Sequence, residues 1–219
     1  MIKALLLSFT LVFSAHAKKA SVSANDYAIL RDTTAKYRNS KLVEIPIQKT
    51  VKSDLTGKET KYSGTIFLSS GLFRMENKEP EKSLLVFDGS TMWSEQAASA
   101  DFPGPPQVTK AKLDKKGKSQ VLFATLLTRD PITKHFKILK ESISNDSAIY
   151  EASPLSKELN VKTLTIKISK KTKLVTEISY QDDIGNLTTM MLGEPHFKKS
   201  YDKKLFHYQP PKGAPVNEI

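Results

Sequence analysis

The residues able to carry acid–base or metal chemistry in this 219-residue chain are few, and their spacing does not suit it. The histidines are His16, His135, His196 and His207. A tetrahedral metal site draws His, Cys or carboxylate ligands to one point, commonly through short fixed spacings, and His135, His196 and His207 show none. Asp182-Asp183 is a carboxylate pair, but it opens Asp182-Asp183-Ile184-Gly185-Asn186, a turn signal. Neighbours in a turn seldom converge on one substrate atom. Asp101, Asp130 and Glu194 also adjoin turn residues and read as structural. Gly-x-Ser-x-Gly, phosphate-loop and His-Glu-x-x-His patterns are absent. With no cysteine there is no disulfide, thiol nucleophile or thiolate metal site. The reading is a protein that is not an enzyme, with no cofactor and no metal; a hydrolase would need an acid–base pair that the chain does not offer.

What remains is apolar. From Lys41 onward hydrophobic residues recur with period two, the spacing that puts residues i and i+2 on one face of a strand. Val161-Lys162-Thr163-Leu164-Thr165-Ile166-Lys167-Ile168 shows it, with lysines on the face turned to water. The candidate inward set is Phe73, Met75, Leu85, Phe87, Trp93, Leu164, Ile166, Ile168, Ile178 and Tyr180. A second set, Leu122, Phe123, Leu126 and Leu127, forms a wide stripe on a helix able to cover that face as a lid.

The elements that must position these residues follow from punctuation. Asn25 or Asp26 caps a helix running to about Arg38, with Tyr27, Ala28, Leu30 and Ala35 as its apolar residues. Leu42–Ile47 reads as an edge strand, because Pro46 cannot donate to a ladder. Asp54-Leu55-Thr56-Gly57 is a turn, and Tyr62–Leu68 the next strand. A strand bearing Phe73 and Met75 follows, then Leu84–Phe87, a hairpin at Asp88-Gly89 and Thr91–Trp93. Phe102–Pro106 breaks the sheet and Asp114–Lys118 is a loop. A helix over Ser119–Thr128 stops at Pro131. Strands then span about His135–Ser142, Ser147–Ser153, Val161–Ser169, Lys173–Gln181 and Leu187–Leu192. A last one lies near Phe206–Gln209 and ends at Pro210-Pro211, with the tail beyond Gly213 loosely held. Ten or eleven strands and two helices make a single α+β domain, a strongly curved antiparallel sheet forming an open half-barrel with helices over its apolar concave face. Partial cover of such a face leaves a cavity suited to an acyl chain. The alternative is that the same residues simply fill a closed core.

Residues 1–17 read as a secretion signal. Lys3 supplies the positive start, Ala4–Phe13 the apolar run and Ala15-His16-Ala17 a small-x-small cleavage site. The run is short of the roughly 20 residues that cross a bilayer. Cleavage is expected after Ala17, leaving residues 18–219 as the exported domain. The net charge of +11 comes mostly from lysine. Arg31, Arg38, Arg74 and Arg129 are the arginines, and no basic run with interleaved aromatics occurs, so no nucleic-acid partner is expected.

Two stretches carry a resemblance. One is Gly71-Leu72-Phe73-Arg74-Met75, followed by Pro80, Leu85-Val86-Phe87-Asp88-Gly89, Trp93 and Gln96. The other runs from Phe206 and Tyr208 through Pro210, Pro211 and Gly213 to Val216. In this order, behind a signal segment, the chain resembles the periplasmic outer-membrane lipoprotein carriers, the LolA-like family. The resemblance implies a periplasmic carrier, expected to be monomeric, that shields the acyl chains of lipoproteins in an apolar cavity between the inner and outer membranes. It implies acylated lipoproteins as cargo, an inner-membrane ABC-type exporter as donor and an outer-membrane acceptor. Three places depart from the family pattern. Leu68-Ser69-Ser70-Gly71 lacks the arginine that precedes the aromatic strand in carriers, Met75 stands where they have tryptophan, and the Pro-rich segment Pro103–Pro106 is unlike their usual loop. These departures leave open a carrier or sensor of another lipid on the same fold, or an exported protein-binding module without lipid.

Overall fold

A computed structural model describes residues 27–98, 103–113 and 126–219. The signal segment therefore lies outside the described residues, as do the loop at 114–118 and most of the helix expected over 119–128. Helix α1 (Ala28–Arg38) begins later than a cap at Asn25 or Asp26 implies. Its N-cap is Tyr27, at φ 61° in the left-handed region and with no side-chain cap bond. Leu30, Thr33, Thr34 and Tyr37 form its buried face at the i, i+3, i+4, i+7 spacing of an amphipathic helix. Lys36 and Arg38 sit in the last turn, where they complement the helix dipole.

The strands are β1 (Leu42–Lys52), β2 (Glu59–Ser69), β3 (Leu72–Glu79), β4 (Ser83–Phe87), β5 (Thr91–Gln96), β6 (Gln107–Lys112), β7 (Phe136–Ile143), β8 (Ser147–Pro154), β9 (Val161–Ser169), β10 (Leu174–Asp182), β11 (Leu187–Leu192), β12 (His196–Lys198) and β13 (Val216–Glu218). They form one sheet in the order β13-β6-β5-β4-β3-β2-β1-β11-β10-β9-β8-β7, with β12 also paired to β1. The path begins and ends on different strands, so the curved sheet does not close. It is two meanders, β1 to β6 and β7 to β11, joined along a seam between β1 and β11 in which Ile47 faces Leu192 and Thr50 faces Thr189.

Several expectations are corrected. The strand at Leu42 is at the middle of the sheet and not at its edge. Pro46 is tolerated there because its carbonyl accepts from the Gly193 amide at 2.8 Å on the flank where its missing N–H would also point. On that flank β11 has ended at Leu192 and β12 starts only at His196, so no ladder bond is lost. Phe206–Gln209 is not a strand. A 3-10 turn spans Lys203–Phe206, capped by the Asp202 carboxylate, and the chain beyond it is irregular. The tail is not loose but forms β13, which pairs in parallel with β6, Val216 against Val108; the sheet is thus antiparallel everywhere except at this edge.

The β2–β3 ladder shifts register between Ser63 and Gly64. Glycine is required at this shift, since a Cβ on Gly64 would lie 2.1 Å from the Glu76 carbonyl oxygen. Between β2 and β3 the chain turns at Gly71, whose φ of 74° favours glycine.

Candidate functional site on the concave face

Alternation carries one side chain in two onto the face under α1. On β1 these are Val43, Ile45 and Ile47, and cross-strand pairing extends them sideways into rows. Val43 faces Leu68, Leu68 faces Phe73, Phe73 faces Phe87 and Phe87 faces Met92. A neighbouring row runs Ile45, Ile66, Met75, Leu85. Across the seam Met190 faces Ile178, Ile178 faces Ile166 and Ile166 faces Tyr150. All of these belong to one apolar cluster that also takes in Leu30 and Tyr37 of α1. Each such pair adds burial at about 25 cal/mol per Å² of apolar surface.

The sequence-derived set is mostly brought together here. Phe73, Met75, Phe87, Leu164, Ile166, Ile168 and Ile178 are buried in the cluster, and Leu85 and Tyr180 pack against it half-exposed. Leu126 and Leu127 are also in it, each 1% exposed. Leu122 and Phe123 lie outside the described residues. Trp93 is a correction. It faces Val86 and belongs to a separate cluster on the other side of the sheet, with Val108 and Tyr208. Its ring lies 5.3 Å from that of Tyr208, whose hydroxyl donates to Glu95. Met92 is the inward residue of β5. The signal was available, because a two-residue hairpin loop at Gly89-Ser90 pairs Asp88 with Thr91 and therefore Phe87 with Met92.

Burial divides the face into two kinds of residue. Ile66, Leu68, Phe73, Leu164, Ile166, Ile168 and Ile178 are at most 2% exposed and hold the sheet together. Tyr27, Ile29, Leu85, Met92, Tyr180 and Leu192 border the same cluster while partly open. Beside α1 lies a groove of about 410 Å³ lined by Ala28, Ile29, Asp32, Thr33, Lys36, Lys170 and Lys173, within the roughly 300–1,000 Å³ of small-molecule sites.

The face is not uniformly apolar. Lys49 continues the row of Ile47 towards the C-terminal end of β1, between Tyr62 and Met190. Its ammonium lies 4.3 Å from the centre of the Tyr62 ring. Burial, which disfavours the charged form, holds its pKa below the usual lysine range. Asn77 and Thr188 are buried on the same face, and burial pushes the Tyr180 phenol up.

The titratable residues weighed from sequence do not converge. His135 lies 3.3 Å from Asp130, whereas His196 is on β12 and His207 follows the last 3-10 turn. The Asp182 carboxylate accepts from the Ile184 and Asn186 amides and so closes its own turn. Among the described residues no three His, Asp or Glu side chains come together, and no helix is long and apolar enough to cross a membrane.

Comparison with known proteins gives the same direction. A family model described as "Outer membrane lipoprotein carrier protein LolA" matches residues 47–209. An outer-membrane lipoprotein carrier protein of Legionella pneumophila (strain Corby) is 27% identical over 155 residues, 70% of this chain and 72% of the relative. One from Chromobacterium violaceum is 27% identical over 179 residues, 81% of each chain. Among solved structures, an uncharacterized conserved protein from Thermus thermophilus superposes with a TM-score of 0.50 at 13% identity, covering 87% of this chain and 97% of its own. That likeness concerns the fold alone.

Proposed function

Because the chain belongs to the LolA family of outer-membrane lipoprotein carriers, we propose that it carries lipoproteins across the periplasm with their acyl chains held against the concave face. The observation that carries this reading is the continuity of that face. Its apolar rows run from Met92 on β5 through β1 to Tyr150 on β8 in a sheet that does not close. Acyl chains would lie along the half-exposed residues Leu85, Met92, Tyr180 and Leu192, over the buried floor of Phe73, Met75, Phe87, Leu164, Ile166, Ile168 and Ile178. The lid set read from the sequence, Leu122, Phe123, Leu126 and Leu127, would supply the cover, and of it Leu126 and Leu127 pack in the same cluster. A methylene removed from water gains about 0.8 kcal/mol, so a dozen gain about 10 kcal/mol. That is enough to need a shielding protein in water, and release then requires an acceptor with a better site.

In this reading residues 1–17 are removed after Ala17 and residues 18–219 act as a periplasmic monomer. The donor is an inner-membrane ABC-type exporter and the acceptor lies at the outer membrane. The test is release of a triacylated lipoprotein from spheroplasts or proteoliposomes that hold the exporter from the same source. The mature protein is expected to bring the lipoprotein into the soluble fraction one to one. Leu85→Gln and Met92→Gln, at half-exposed positions, should cut release while leaving thermal unfolding nearly unchanged. No release by folded protein sinks the lipoprotein reading.

A second reading, carriage or sensing of another acyl lipid, is favoured by the stretch before β3. There the Ser69 hydroxyl meets the Lys41 carbonyl at 2.7 Å and the Tyr201 hydroxyl at 3.0 Å, and Leu68–Gly71 itself contains no arginine, the side chain of Arg129 lying beside Gly71 instead. Native mass spectrometry of co-purified lipid separates the two.

A further inference from the structure

The polar end of the concave face has features that acyl-chain shielding does not use. Lys49 is a partly buried cation with hydrophobic neighbours on both flanks, Tyr62 and Met190. No carboxylate among the described residues lies within ion-pair distance of it. Glu59, on the adjacent strand, is turned to Lys52 at 3.9 Å. The Tyr62 ring 4.3 Å from the ammonium offers only part of what a counter-ion would, and a cation withdrawn from water without a counter-ion is unfavourable. Asn77 belongs to the neighbouring row, across Gly64 from Ile47, and not to the row of Lys49 and Tyr62. Asn77 is 8% exposed. Its Nδ2 donates to the Ser83 hydroxyl at 2.8 Å, while its Oδ1 has no partner among the described residues. A cation without a counter-ion thus stands at one end of an apolar surface, while the Asn77 amide oxygen is closed off within the floor. Such a cation is complementary to a ligand whose apolar tail ends in an anion.

We propose that this end of the face is a headgroup subsite for a phosphate-bearing acyl lipid, with Lys49 pairing the phosphate. The proposal rests on the second form of the acyl-carrier reading, carriage of another acyl lipid, because the anchor of a triacylated lipoprotein bears no phosphate, and it names the class of lipid favoured.

The test uses the full-length protein and two probes with identical fluorescent acyl chains, a phosphatidylglycerol and a diacylglycerol. The wild type is expected to prefer the phosphatidylglycerol by about tenfold, the scale of one hydrogen bond to a charged group. Lys49→Gln, which keeps the stem that packs on Tyr62, should abolish that preference and leave diacylglycerol affinity unchanged. Lys49→Arg should retain it. Equal loss for both lipids, or loss for neither, overturns the subsite while the acyl cavity stands. Failure of the wild type to bind either lipid overturns the acyl-carrier reading and the subsite with it. Displacement of the phosphatidylglycerol by inorganic phosphate at matched concentration assigns the site to a free anion and overturns the lipid form.

Discussion

Tyr37 holds an irregular point of the sheet through one hydroxyl. The β9–β10 ladder shifts register between Val175 and Glu177, and the Val175 amide donates to the Tyr37 hydroxyl at 3.1 Å. The residue is 1% exposed, and burial pushes its phenol up to about 12 from the ordinary 10.0. Tyr150, Tyr180 and Tyr208 move in the same direction, burial again being the first cause. Because the folded pKa lies above the unfolded one, the contribution of the neutral phenol is complete below pH 10 and is lost as pH rises from 10 towards 12. For Tyr37 the loss amounts to roughly 2–3 kcal/mol. Urea unfolding should therefore be insensitive to this group at neutral pH and show a falling midpoint above pH 10. Tyr37→Phe leaves the Val175 amide unpartnered, costs about 1–3 kcal/mol at neutral pH and reduces the alkaline fall. An alkaline slope identical in the variant would show that Tyr37 has no part in it.

At the scale of the element, what was legible in the sequence depended on whether a strand has two contrasting faces. β9 and β11 were readable to their ends. In β9 Leu164, Ile166 and Ile168 turn inward while Lys167 between them is exposed, so the pattern reports both faces at once. β6 and β13 were not readable. Val108 is the only fully buried side chain of β6 and β13 has none, and their pairing joins residues over a hundred positions apart. Phe206 and Tyr208 alternate like strand residues for another reason. Phe206 packs edge-on against Tyr201 at 5.5 Å, Tyr208 packs on Trp93, and Arg74 of β3 donates to the Leu205 carbonyl at 3.2 Å. Period two showed that two side chains share a surface, not that the backbone between them is in a ladder. The same limit misplaced Trp93, whose size marked it as core without saying of which face. The docking of β13 leads to a prediction. That strand is joined to β6 by a short ladder from Val216–Val108 to Glu218–Lys110, flanked by the Val108 amide to Pro215 and the Ile219 amide to Lys110, with an exposed Lys110–Glu218 pair at 2.7 Å. Truncation after Gly213 should leave the thermal midpoint within a few degrees. It should also speed hydrogen exchange along Val108–Lys110 and raise self-association, since β6 then becomes a bare edge. Unchanged exchange at those amides would mean that β13 does not protect them in solution.

At the scale of the whole molecule, exposed lysines outside the apolar cluster and the cluster itself should act at different stages of lipid capture. The net charge is +11, and Lys167 of β9 projects from the face opposite the apolar cluster. A further group borders the groove beside α1, where Lys36 reaches the Lys173 carbonyl at 3.4 Å and Lys170 reaches the Ser144 carbonyl at 2.8 Å. Exposed charges attract an anionic membrane over a distance set by salt, about 8 Å at physiological ionic strength. They therefore raise the rate of encounter more than the depth of binding. Burial of an acyl chain on Leu85, Met92 and Tyr180 is not screened in this way. Uptake of a fluorescent acyl lipid from anionic vesicles, followed by stopped flow, should slow steeply as sodium chloride is raised, while the dissociation rate changes little. Uptake from neutral vesicles should be slow at every salt concentration. Replacing Lys170, Lys171 and Lys173 together by glutamine should slow uptake from anionic vesicles at low salt and have no effect at high salt. If salt instead altered dissociation and left uptake unchanged, the lysines would act in the bound complex and the groove beside α1 would be part of the lipid site itself.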